Sequence, residues 1–250
     1  MAEWAQTLER PVRDFHWVAH GTSGFILELD ERTVIKRSLG EGNRADHETE
    51  REIYERLGDH PRIVNGIFMH PKGIILERLQ DPLRLRLIQL RERNVLPTKE
   101  QILKWSRQAS EAIEYLHGKH VFQVDIAFLN MLFDDQDDIK LCDFAGSSID
   151  GRVPSVVAGA HEGFHLFANK RTKPSVHTEL YALGCVIFEI STTQRPYHGK
   201  TDKEIERLYE AGEFPDTNHL LLGPVIRKCW TFQYNSATKV IDEIDKIIDK

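Results

Sequence analysis

Hydrophobic positions are spaced differently in the two parts of the chain. Over residues 1–80 they come in short runs bounded by polar turns, the pattern of β-strands. Residues 14–19 form one such run, and 25–29 with 33–36 form a hairpin pattern across the polar tip Asp30-Glu31-Arg32. A helix is predicted over 43–57, where Ile53, Tyr54 and Leu57 fall at helical spacing. Two more strands are expected over 63–68 and 73–77.

From Pro82 onward the period becomes that of helices. Thr98-Lys-Glu-Gln101, behind Pro97, has the form of a capping box, and the helix it opens carries the stripe Ile102, Trp105, Ala109, Ala112, Ile113 and Leu116. Residues 180–190 are apolar on nearly all faces, which predicts a helix enclosed on every side. Thr201-Asp-Lys-Glu204 caps another. Ser236 starts the last, with Val240, Ile241, Ile244, Ile247 and Ile248 inward. A small antiparallel sheet with one helix, followed by a mainly helical part, is an α+β pattern. The division is placed at 79–82, giving an N-terminal lobe over 1–80 and a C-terminal lobe over 81–250.

Composition narrows the classes. A chain of 250 residues, 40% hydrophobic, has ample core. A net charge of -6 and a pI near 6.1 give no electrostatic reason to expect nucleic acid or an anionic membrane as partner. No uncharged run approaches the ~18 residues of a membrane span, and the acidic start MAEWAQTLER lacks the apolar stretch of a secretory signal. Cys142, Cys185 and Cys229 lie far apart beside apolar residues, so they are expected to be reduced, buried thiols in a cytoplasmic protein, without zinc-ligand spacing.

Several polar residues stand out against this background. Ala19-His-Gly21-Thr-Ser-Gly24-Phe-Ile26 lies between two predicted strands; its glycines permit positive φ and close backbone approach, either to phosphate oxygens or in an ordinary hairpin. Lys36 ends an apolar strand, where an ammonium group either wants an anion in a cleft or snorkels from an edge. In the second part, Val124-Asp125-Ile-Ala-Phe-Leu-Asn130-Met-Leu is followed by Ile139-Lys-Leu-Cys-Asp143-Phe144-Ala145-Gly146. An acid and an amide five residues apart, then an acid across a short hairpin, can converge on one point. Phosphoryl transfer needs such a set: one carboxylate to take a hydroxyl proton, and oxygen donors for Mg²⁺. The apolar residues around these acids make isolated surface acids an unusual alternative.

Taken in order, these motifs resemble the protein kinase family over nearly the whole chain, and most closely short fungal kinase-like proteins with Asp-Phe-Ala-Gly-Ser-Ser, here residues 143–148. The resemblance implies a bilobal kinase fold with an ATP and Mg²⁺ cleft. Lys36 would hold the α- and β-phosphates and be oriented by an acid of the following helix. Among Glu48, Glu50 and Glu52, Glu50 has the register ahead of His60-Pro61-Arg62-Ile63-Val64, which leaves Glu48 and Glu52 as solvated surface acids. Asp125 would be the catalytic acceptor of the hydroxyl proton, with Lys36 and Glu50 supporting it. Asn130 and Asp143 would ligate the metal. Ala19, Gly21 and Gly24 would cover the phosphates, and Ile26 and Val34 the base. Leu76 would be the gatekeeper, Glu77 and Leu79 the hinge, and Leu132 the cleft floor.

The departures bear on activity more than on fold. The usual His-Arg-Asp is Gln123-Val124-Asp125, so no arginine is present to receive a phosphorylated activation segment. Ala127 and Leu129 stand where a lysine or arginine would neutralise the transferred phosphate. An Ala-Pro-Glu segment is not recognisable over 163–173, and its arginine partner is missing near Asn235-Ser236. Glu179 replaces an aspartate and is expected to brace the catalytic loop. Three functions follow: a protein kinase acting on Ser/Thr or Tyr of a protein substrate; a pseudokinase that works through a regulatory protein partner; and a small-molecule phosphotransferase, for which 250 residues leave no substrate-binding insertion.

Overall fold

Alternation along three strands sorts side chains onto two faces of one sheet, and that sorting positions the chemistry. The computed structural model describes residues 2–21, 23–126, 128–155 and 174–249. Helix α1 (Ala2–Glu9) is followed by β1 (His16–His20), β2 (Gly24–Glu28) and β3 (Thr33–Ser38). Helix α2 (Arg44–Leu57) comes next, then β4 (Gly66–His70) and β5 (Gly73–Glu77). The strands form an antiparallel sheet in the order β1-β2-β3-β5-β4. Phe25, Leu27, Ile35 and Ile75 point to one face, where they pack with Leu8 and Phe15. Val34, Ile74 and Leu76 point to the other, against Ile53, Tyr54 and Leu57 of α2. Lys36 is two residues from Val34 and so shares the α2 face.

The remaining elements are α3 (Leu83–Glu92), α4 (Lys99–Gly118), β6 (Val121–Phe122), β7 (Met131–Phe133), β8 (Ile139–Leu141) and β9 (Ser148–Ile149). They are followed by α5 (Val176–Thr192), α6 (Asp202–Glu210), α7 (Gly223–Trp230) and α8 (Ala237–Ile248). The capping boxes at Thr98/Gln101 and Thr201/Glu204 are both closed by their reciprocal hydrogen bonds. Ser175 and Thr178 close a third, ahead of α5. Helix α5 is buried on every side from Thr178 to Ser191. It meets α7 so closely that a Cβ on Gly184 would lie 2.7 Å from Cys229 Cβ. No helix among the described residues is long and apolar enough to cross a membrane.

The structure differs from the sequence expectations in places. Helix α1 was not anticipated, because Trp4 and Leu8 are a lone i, i+4 pair; the sheet supplies its stabilisation. Arg37 fastens its end, donating to the carbonyls of Leu8 (2.7 Å) and Arg10 (3.0 Å). The first strand begins at His16, since Asp14 lies in the 3₁₀ turn Val12–Asp14. The strand expected over 63–68 begins at Gly66, and Ile63 instead bridges to Leu141. In α8, Val240 and Ile244 are buried but Ile248 is exposed, being off the centre of the stripe that Ile247 continues. Ser236 makes no side-chain cap there. All three cysteines are free, with Cys142 only partly covered.

Candidate active site

The inward stripe of α2 begins with polar residues and ends with apolar ones: His47, Glu50, Ile53, Tyr54 and Leu57 are buried together. Helical spacing therefore turns Glu50, only 1% exposed, toward the sheet face that carries Lys36. Lys36 Nζ donates to Glu50 Oε1 at 2.7 Å and to Asp143 Oδ1 at 2.6 Å. The same Glu50 oxygen accepts the Phe144 amide at 3.2 Å. Burial by itself would discharge Lys36, but the carboxylates of Glu50 and Asp143 reverse that and hold its pKa above the ordinary lysine value. Burial pushes Glu50 upward, opposed by Lys36 and the Phe144 amide. Glu48 pairs with Arg44 on the surface. Glu52 does not stand free in solvent as expected: it takes a two-pronged bond from Arg152 (2.6 and 2.8 Å).

The loop that carries Asp125 is held through backbone groups. Val124 has φ 67° and Asp143 φ 61°, left-handed conformations that a β-branched residue such as valine strongly resists. The Val124 amide is secured by Glu179 Oε1 at 2.7 Å, and Glu179 Oε2 lies 2.8 Å from His117 Nε2. Glu179 is in the first turn of α5, where the helix dipole favours a carboxylate. The Gln123 amide donates to the carbonyls of Cys142 (3.1 Å) and Asp143 (2.9 Å), and Ser147 Oγ donates to the Gln123 carbonyl at 3.1 Å. Gln123 thus ties the loop to the segment bearing Asp143. Phe144 rests edge-on against Tyr54, with ring centroids 5.1 Å apart.

Asn130 Nδ2 donates to the Asp125 carbonyl (3.0 Å) and to Asp125 Oδ2 (3.3 Å). This aims the amide nitrogen at Asp125 and leaves the amide oxygen for another partner. Burial raises the Asp125 pKa, Asn130 opposes the rise, and the nearby Asp143 charge adds to it. Lys36, Glu50, Asp143 and Asp125 together carry one positive and three negative formal charges. Such a set repels free polyphosphate and suits a divalent cation with hard oxygen ligands, so the residues fit Mg²⁺.

Other predicted positions fall around this centre. A cavity of about 150 Å³ is lined by Ser23, Asn43, Asp46, Gln123, Asp125, Asp143 and Gly146, joining the glycine turn to the acids. Gly21 and Gly24 do not adopt positive φ, contrary to the latitude expected of them. Gly24 is needed for approach instead: a Cβ would lie 2.4 Å from the Arg37 carbonyl oxygen, whereas one on Gly21 meets open space. Ala19 is exposed in β1, opposite Ile26. Ile26, Leu79 and Leu132 are half-buried against the cluster that contains Val34 and Leu76. The Glu77 amide donates to the Asn65 carbonyl, which leaves its own carbonyl as the backbone group for the expected hinge contact. Its side chain takes Lys140 at 2.7 and 2.9 Å. Ala127 and residues 163–173 lie outside the described residues; Leu129 is 56% exposed. Sequence reasoning missed His117 and the buttress role of Gln123, for which spacing offered no signal.

A protein kinase domain model matches residues 29–250. The chain belongs to the protein kinase family. Among curated relatives it is similar to the dual specificity mitogen-activated protein kinase kinase hemipterous of Drosophila melanogaster, 28% identical over 206 residues. That match covers 75% of this kinase and 17% of the relative. Mitogen-activated protein kinase kinase kinase dlk-1 of Caenorhabditis elegans is 24% identical over 195 residues, 74% of this chain and 20% of that one. Serine/threonine/tyrosine-protein kinase HT1 of Arabidopsis thaliana is 24% identical over 205 residues, 76% of this chain and 52% of that one. The chain thus spans from about a sixth to half of these relatives' lengths.

Proposed function

We propose that this kinase domain is catalytically active and transfers the γ-phosphate of ATP to a Ser/Thr or Tyr hydroxyl of a protein. One observation carries the reading. Lys36 is paired with both Glu50 and Asp143, while Asn130 binds Asp125 beside them. Lys36, charged and oriented by Glu50, is suited to anchor the α- and β-phosphates. Asn130 and Asp143 would hold magnesium, which when bound neutralises phosphate charge. Asp125 keeps one carboxylate oxygen clear of Asn130 to orient the acceptor hydroxyl and take its proton. Ala19, Gly21 and Gly24 would cover the phosphates. Ile26, Val34 and Leu132 would enclose the base, with Glu77 and Leu79 meeting it through backbone groups.

The division into lobes at 1–80 and 81–250 belongs to this reading, as does a cytoplasmic setting, supported by the free cysteines. The 143–148 stretch supports a narrower kinship with short fungal kinase-like proteins. A second reading, a nucleotide-binding pseudokinase acting through a protein partner, is favoured by exposed Leu129 where the loop would otherwise hold a cation. Transfer of labelled phosphate from Mg-ATP to the chain itself or to a generic protein separates the two. Activity in the wild type that falls about 10²–10⁴-fold in Asp125→Ala supports the enzyme. Equal signal in both proteins overturns it, and a thermal shift with Mg-ATP but no transfer supports the pseudokinase.

A further inference from the structure

The segment that leaves Asp143 is fastened to α2 on two sides. Inside, Lys36 and Glu50 hold Asp143 and the Phe144 amide. Outside, seven and nine residues after Asp143, Asp150 and Arg152 reach back to the solvent side of the same helix. Arg56 Nη1 donates to Asp150 Oδ1 at 2.6 Å, and Nη1 and Nη2 of Arg152 each donate to one oxygen of Glu52. Arg56 also lies 4.0 Å from Glu52, so the four charges alternate in sign along a chain from Asp150 through Arg56 and Glu52 to Arg152. The backbone between the two fastenings is itself pinned. Ser148 Oγ donates to the Arg152 carbonyl at 2.5 Å, and β9 pairs with β6 directly before the catalytic loop.

An exposed ion pair taken alone contributes little, because water screens it and two long side chains must be ordered. Three features raise this one above that baseline. The Arg152 fork is bidentate, the pairs are coupled through the Arg56–Glu52 contact, and the side chains come from two elements that already meet at Glu50. Position 124, directly before Asp125, holds valine, so that position offers no cation for a phosphate added to the segment.

We propose that Glu52, Arg56, Asp150 and Arg152 form an outer clamp that keeps this segment on α2 without phosphorylation, making Glu52 and Arg152 positioning residues for the Lys36–Glu50–Asp143 centre. Its consequence for nucleotide rests on the function proposed above; the clamp itself does not.

A double-mutant cycle on the full chain tests it by hydrogen exchange without nucleotide, using Glu52→Gln, Arg152→Gln and the double variant. Amides of α2 and of the Phe144 turn are expected to exchange about two- to fivefold faster in each single variant. The double variant should be no faster than the more affected single one, α4 and α8 should be unchanged, and Arg152→Lys should lie between. Phosphatase treatment of the wild type should change nothing. The clamp is overturned by unchanged exchange in the single variants, by effects that add in the double, or by loosening of α2 after phosphatase. A parallel titration with a fluorescent ATP analogue and Mg²⁺ should show affinity weakened by a similar factor at an unchanged melting temperature. If the wild type binds no nucleotide, the kinase reading fails while the exchange cycle still decides the clamp.

Discussion

The two faces of the N-terminal sheet are built from alternate residues of the same strands, yet they do different work. On the α1 face, Leu8, Phe15, Phe25, Leu27, Ile35 and Ile75 bury apolar surface, with Arg37 at its margin fastening the end of α1. On the α2 face the same alternation buries Val34, Ile74 and Leu76, then places Lys36 beside Glu50. The first face gains stability in proportion to area. The second accepts buried charge, which is costly to desolvate and stable only while each partner is present. The difference teaches that Lys36 is held by directed ion pairs, as the proposed chemistry requires, whereas Leu8 is held by packing.

Substitutions on the two faces should therefore separate chemistry from stability. The largest effect is expected from Lys36→Met: phosphate transfer should fall about 10²–10³-fold, with the melting temperature at mildly acidic pH nearly retained. Retained transfer would break the comparison. Leu8→Ala, on the other face, should cost about 2–3 kcal/mol in chemical denaturation while leaving Mg-ATP affinity unchanged. Loss of nucleotide affinity at full stability would reverse the assignment of the two faces. Gly24→Ala should destabilise by about 1–3 kcal/mol, because its new methyl group meets the Arg37 carbonyl. Gly21→Ala should be nearly silent in the same denaturation experiment.

The smallest effect is a pH dependence. Burial raises the pKa of Glu50, so its contribution to stability is fully present below the ordinary glutamate value and is lost as pH rises through the raised one. Lys36 limits that loss by favouring the carboxylate. Lys36→Met should therefore lose melting temperature more steeply than wild type as pH rises from acid to neutral. Parallel curves for the two proteins would show that Glu50 does not depend on Lys36.

Much of this was legible in the sequence, and the reasons are local. The capping boxes at Thr98 and Thr201 announced their helices because the residue that makes the bond also names it. Asp125, Asn130 and Asp143 could be paired because short hairpins leave few ways to arrange an acid, an amide and an acid. What could not be read was long-range. Glu52 and Arg152 are separated by 100 positions, and nothing in either neighbourhood distinguishes them from solvated charges. Helix α1 shows only two large apolar residues, Trp4 and Leu8, so the sheet that stabilises it has to be known first. His117 reaches Glu179 from another helix, and only the fold brings them together.

The proposed cleft sets one cation against three acids and is therefore expected to take ATP together with magnesium. Calorimetric titration of ATP into the full chain, with and without Mg²⁺, tests this most directly. Binding is expected to require Mg²⁺ and to disappear in Asp143→Asn. ATP binding of equal strength without the metal, or unchanged in Asp143→Asn, would contradict it.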